Sequence, residues 1–274
     1  MISRGERVAN YAILCLFAVV ALFPLLGILT SAVTPPGDAT GGFSVPHSLA
    51  FANFGDAWRQ GHLGSYMRNS LVVSAAVVAA ASLLATMAGF AFGTMRFAGS
   101  TPLFYLFLLG LMVPEEAYVV PLFYDLRDAG LTDSYWALIL PQVAQSVSFG
   151  VFWMRTYFRS APVSMIEAAR IDGASSWTTL WRILAPMGRP AILTMMVLIF
   201  MWTWNEFLLA LVMIPTNESR RTIPLGLAFF QGQHSSDFSL LAAGSVIVAA
   251  PVVLVYIFLQ RHFIAGMLSG SIKE

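Results

Sequence analysis

Residues 69–95 read NSLVVSAAVVAAASLLATMAGFAFGTM, with no charged side chain in the run. A bilayer core about 30 Å thick is crossed by about 20 mostly apolar residues in a helix, so this stretch spans a membrane. Ala81, Ala85, Gly89 and Gly93 recur every four residues along it, which lets another helix approach closely in lipid. The spacing fits either a helix that slides on its partner or static packing. Working outward, residues 8–37, 97–114, 134–154 and 238–260 are also free of charge. A further run, 190–205, resumes as 207–217 after Glu206. The expected fold is all-α and polytopic, with six transmembrane helices at about 11–32, 70–92, 101–120, 135–154, 191–213 and 239–260. The first run could be a secretory signal, but it is long for one and is interrupted by Pro24, so an uncleaved helix is expected.

Composition agrees. Of 274 residues, 58% are hydrophobic and 11% charged, against about 25% charged in soluble domains. The net charge of +1 argues against nucleic acid as a partner. The one lysine, Lys273, lies near the C-terminus, so the chain has no phosphate-binding loop of the G-x-x-x-x-G-K-[ST] kind and should bind no nucleotide itself. His47, His62, His234 and His262 lack metal-ligand spacing, and no catalytic cluster or nucleophile elbow is present. Cys15, in an apolar run, reads as a buried, inert thiol. With no linker dividing the chain, residues 1–274 are expected to form one membrane domain.

Six spans put both ends on one side. That side holds Arg4, Arg7, Arg96, Arg155, Arg159, Arg170, Arg182, Arg189, Arg261 and Lys273. The other holds Arg59, Arg68, Arg127, Arg220 and Arg221. The excess of positive charge marks the cytoplasmic side, so both termini are expected in the cytoplasm of a plasma or inner membrane. The stretch 155–190 is then the longest cytoplasmic segment, with five Arg, one Glu and one Asp. Within it, Pro162 and the pair Ser164 and Glu167 predict a capped helix start, and Gly173 predicts its end, giving a helix over about 165–172. A second helix should start at Ser175 or Ser176 and run to Leu184, ahead of Pro186. Adjacent Ala168 and Ala169, beside Glu167 and Arg170, offer a low surface with orienting charges. That pattern suits docking into a groove of another protein or an amphipathic helix on the inner leaflet.

Glu167-Ala168-Ala169, then Gly173, Ile183 and Pro186, resembles the EAA loop of membrane subunits of binding-protein-dependent ABC importers. The usual ending I-x-L-P stands here as Ile183-Leu184-Ala185-Pro186, with Ala185 in place of Leu. Other segments resemble the carbohydrate type, in particular its maltose-transporter-like second membrane subunit. They are Arg68-Asn69-Ser70, Pro121-Leu122-Phe123, Gly130-Leu131-Thr132-Asp133-Ser134, Trp204-Asn205-Glu206-Phe207, Ile223-Pro224-Leu225-Gly226-Leu227 and Gln260-Arg261-His262-Phe263. The resemblance implies a permease subunit of an ATP-driven sugar importer, not an enzyme. Glu167, Ala168, Ala169, Arg170, Asp172 and Gly173 would dock on an ATP-binding subunit that uses the ATP. A second permease subunit would complete the pathway, and an extracytoplasmic solute-binding protein would deliver sugar to loops 34–67 and 215–238.

Glu206 is the most costly residue within a span, at about 2.5–3.5 kcal/mol on insertion scales. It should face a polar cavity, a hydrogen-bond partner or the outer interface. Trp204 and Asn205 beside it, with Gln142 and Gln145 in the fourth helix, combine aromatic faces with hydrogen-bonding groups and are the expected substrate pathway. An ion-coupled secondary transporter of a small polar solute is the alternative, although a single acid within the spans makes a poor proton relay.

Overall fold

The computed structural model of the chain describes residues 3–39, 46–228, 230 and 237–268, of which 261–268 are described by backbone alone. Gly270, Lys273, His234 and parts of the two loops expected to meet a solute-binding protein (40–45, 229 and 231–236) therefore lie outside the described residues, as do the side chains of Arg261, His262 and Phe263. Among the described residues there is no strand. The helices are α1 (Arg4–Ala32), α2 (Ala52–Gln60), α3 (Leu63–Thr94), α4 (Ser100–Met112), α5 (Glu115–Asp128), α6 (Tyr135–Ser160) and α7 (Val163–Ile171). After these come α8 (Ser176–Thr178), a wide π turn (Thr179–Leu184), α9 (Ala185–Met187), α10 (Arg189–Trp204), α11 (Leu208–Met213), α12 (Ile223–Ala228) and α13 (Phe238–Leu268).

Among the described residues, four helices are long and apolar enough to cross a membrane: α1, α3, α6 and α13. The third and fifth predicted spans are each interrupted. α4 and α5 meet at a bend of 97°, where Pro114 lacks a donor and holds the preceding Val113 extended (φ −80°, ψ 115°). α10 stops at Trp204 and α11 resumes at Leu208. Pro186 does not end its helix. It falls in the first turn of α9, where a missing N–H costs little, and the chain turns by 81° only at Gly188, ahead of α10. Cys15 is exposed on α1, not buried, as are the large apolar side chains from Val8 to Leu29 around it.

The chain divides into two compact units. One comprises residues 1–67 and 223–251. Its core is Ala32, Ala57, Phe230, Leu240, Ala242 and Ala243. The buried Asn53 amide donates to the Ala32 and Thr34 carbonyls at 3.0 and 2.8 Å, satisfying acceptors that the end of α1 leaves open.

The other unit comprises residues 68–222 and 252–274. Its α3 and α6 approach backbone to backbone. A Cβ on Gly89 would lie 2.5 Å from Met154 Cβ, and one on Gly150 would lie 2.5 Å from Ala85 Cβ. The small-residue stripe thus serves close packing. At the other end of α3, buried Asn69 is fully bonded. Its Nδ2 donates to the Ser219 and Arg221 carbonyls, and its Oδ1 accepts from the Tyr135 hydroxyl, each at 2.8 Å. Asp133 ties the α5–α6 turn to residues 216–217 by accepting from Thr216 Oγ1 (2.7 Å) and from the N–H groups of Thr216 (3.1 Å) and Asn217 (2.9 Å).

Candidate functional site

Two features of the 68–222 segment can carry function: the exposed helix α7 and a cavity between α5, α6 and α10. α7 starts two residues earlier than the sequence implied. Pro162 is its N-cap and no side chain caps it, so Ser164 and Glu167 fall inside the helix and the predicted box does not form. The C-terminal end is as expected. Gly173 adopts φ +76°, a left-handed conformation that favours glycine. The Ala174 N–H then bonds back to the Ala169 carbonyl at 2.9 Å, the long closing bond of a Schellman end. No atom lies within 4 Å of where a Gly173 Cβ would sit, so the backbone conformation alone demands glycine there.

Glu167, Ala168, Arg170, Asp172 and Gly173 are exposed, while Ala169 is buried. The expected double-alanine surface is therefore a single alanine, because neighbouring helix residues point about 100° apart. In its place Val163, Ile171 and Trp177 stand out, Ile171 with 86% of its surface exposed. Apolar side chains flanked by a carboxylate and a guanidinium form a surface suited to a protein partner. Beyond α7, Ser175 Oγ caps α8 by accepting from the Thr178 N–H. Gly188 then lets the chain turn against the Tyr157 ring, which a Cβ there would approach to 2.6 Å.

The cavity encloses about 520 Å³, within the range of small-ligand sites. α6 presents Gln142, Gln145, Ser146 and Phe149, spaced as one helix face. α10 and the break after it present Leu198, Met201, Trp202, Thr203, Asn205 and Glu206, and the bend between α4 and α5 adds Leu111 and Glu115. Phe149 and Trp202 stand edge to face at 4.7 Å between centroids. Gln142 Nε2 donates to the Leu138 carbonyl of its own helix (3.0 Å) and Asn205 Nδ2 to the Met201 carbonyl (2.7 Å). Glu206 Oε1 accepts the Leu209 N–H at 2.9 Å, satisfying one donor that the start of α11 would otherwise leave open.

Of the residues predicted for the pathway, Gln142, Gln145, Asn205 and Glu206 line the cavity together. Trp204 does not. It is 1% exposed and packs on Phe200 with ring centroids 5.5 Å apart. Two residues along a helix is a rotation of about 200°, so Trp202 faces the cavity in its place. Phe149 and Glu115 complete the site and were not assigned to it from sequence. Phe149 follows Gln142 and Gln145 at helical spacing, a signal that was available. Glu115 becomes legible only once Pro114 is known to break the span.

A family model described as "Binding-protein-dependent transport system inner membrane component" matches residues 81–269. The chain is 35% identical over 264 residues to "Probable ABC transporter permease protein YurM" of Bacillus subtilis (strain 168), with 96% of this chain and 87% of that protein covered. It is 31% identical over 274 residues to "Diacetylchitobiose uptake system permease protein NgcG" of Streptomyces coelicolor, covering 99% and 90%. In fold it is similar to a chain of a bacterial ABC transporter involved in the import of the acidic polysaccharide alginate. The TM-score is 0.77 at 23% identity, over 96% of this chain and 99% of that one.

Proposed function

This chain belongs to the family of binding-protein-dependent transport system inner membrane components, and from that premise we propose that it forms half of the translocation pathway of a sugar importer. The family places it as a multi-pass permease subunit and not an enzyme, which removes the ground for an ion-coupled secondary transporter. The cavity carries the sugar reading: the Phe149 and Trp202 rings, the Gln142, Gln145 and Asn205 amides and two carboxyl groups converge in it. Sugars are held by aromatic faces against their C–H surfaces and by hydrogen bonds to their hydroxyls. The diacetylchitobiose system named for one relative fits the same class.

In this reading α7 docks on a cytoplasmic ATP-binding subunit through Glu167, Ala168, Arg170, Asp172 and Gly173, with Ala169 buried beneath as a spacer. Ile171 and Trp177 supply apolar anchors for that contact. ATP is bound and hydrolysed by that partner. Its closure moves α7 and, through the 176–187 segment, α10, whose side chains line the cavity. A second permease subunit supplies the facing wall, and an extracytoplasmic solute-binding protein delivers the sugar.

The test is reconstitution of the assembled transporter, with uptake measured across a panel of labelled oligosaccharides. Glu167→Arg and Gly173→Pro are each expected to abolish both uptake and co-purification of the ATP-binding subunit, with membrane insertion unchanged. Full transport and retained ATPase association in both variants would refute the docking assignment. Failure of every sugar in the panel would refute the substrate class.

A further inference from the structure

The cavity is not neutral. Glu115 reaches it from the first turn of α5 and Glu206 from the break before α11. The two carboxyl groups lie close enough to interact electrostatically. Glu115 Oε1 is buried with no hydrogen-bond partner of good geometry, whereas Glu206 Oε1 holds the Leu209 N–H. Among the described residues lining the cavity there is no Lys, Arg or His to balance the pair. An anion entering here would lose its water against the net negative charge of this acid pair with no counter-charge, while a hydroxyl or ammonium group would find acceptors.

We infer that Glu115 and Glu206 act as a charge filter in the translocation cavity, admitting uncharged or cationic sugars and excluding acidic ones such as uronates. This rests on the cavity being the sugar pathway and adds the substrate's charge class. A Glu206 serving only as a cap for α11 would need no second acid. The juxtaposition of Glu115, brought there by the Pro114 bend, is what a cap leaves unexplained.

The chain's single cysteine makes a direct measurement possible. Cys15 is replaced by Ala and Gln145 by Cys, which places one thiol at the cavity wall of the assembled transporter in proteoliposomes. Its rates of reaction with a trimethylammonium-ethyl and a sulfonatoethyl methanethiosulfonate are measured and corrected by the same rates on a free thiol. With both acids present, the cationic reagent is expected to be favoured by about tenfold or more, the scale on which a charged cleft enriches counter-ions. In the Glu115→Gln/Glu206→Gln background the preference should fall toward one. A corrected ratio near one with both acids present overturns the inference, because the pair is then neutral. So does a preference that survives the double substitution, or a thiol that neither reagent reaches. Sugar uptake by the transporter that retains Gln145, combined with a flat ratio, would sink the filter alone, whereas a steep ratio with no sugar carried by that transporter would sink the pathway reading and leave the electrostatics standing.

Discussion

At Asp133 the backbone takes φ +56°, a conformation that Asp tolerates better than most residues. Its carboxylate gathers three donors from residues 216 and 217. Burial pushes this carboxyl upward, but the hydrogen bonds from the Thr216 hydroxyl and the Asn217 and Thr216 N–H groups, with the Arg221 charge, outweigh it and hold the group below the usual carboxylate range. A carboxyl lowered in the folded state stabilises at pH values above its unfolded pKa of about 3.9, and that stabilisation is lost as pH falls through the lower folded value. Thermal unfolding of the detergent-solubilised protein should therefore show an acid-side loss of stability that is smaller in Asp133→Asn. Parallel pH profiles for the two proteins would contradict this. Single residues were also where sequence reading was least secure. Trp204 and Trp202 are equally aromatic, and only the helix phase separates the buried one from the one in the cavity.

Between elements, contact is governed by how closely backbones can approach. A methyl group on Gly89 would meet Met154 Cβ at 2.5 Å and the Arg155 backbone N at 3.0 Å, and backbone does not move aside cheaply. Gly89→Ala should destabilise by about 1–3 kcal/mol, the usual cost of overpacking. Gly55 in α2 has open space around it, so Gly55→Ala should be neutral or slightly stabilising, since alanine favours a helix interior over glycine. Melting temperatures of the two variants decide the point, and equal shifts would show that the α3–α6 contact yields. The stripe that sets this contact was visible at a four-residue period. The interruptions were less so. A charge-free run reads as one rod, and neither Pro114 nor the Asn205–Glu206 pair announces how far the chain will turn, because that depends on what α6 presents to the bend.

Across the whole molecule, charge placement carries the topology. Ten basic residues against five fix the expected orientation by the positive-inside rule. In a Cys15→Ala background, Arg127→Cys should react with a membrane-impermeant maleimide in intact cells, and Arg4→Cys only after permeabilisation. The reverse pattern would invert the proposed topology and take α7 away from the cytoplasm. The hydrophobic segments and the charged loop between the fourth and fifth of them were legible because insertion into lipid depends on hydropathy and charge, which are written residue by residue. The cavity was legible only in part. Its polar groups are costly in a span and so stand out, whereas its aromatic wall and its second acid depend on helix phase and on a bend.

From Val8 to Leu29 the large apolar side chains of α1 remain largely exposed. Little interlocking shape within the chain therefore constrains most of them. Length and hydropathy constrain them more than packing does. Exchanges among Leu, Ile, Val and Phe along this helix should leave the fold of the chain intact, while the same exchanges at Met154, Met195 or Ala85 would not. Sequence drift in this protein is thus expected to concentrate at its amino-terminal end, where any sufficiently greasy rod will serve.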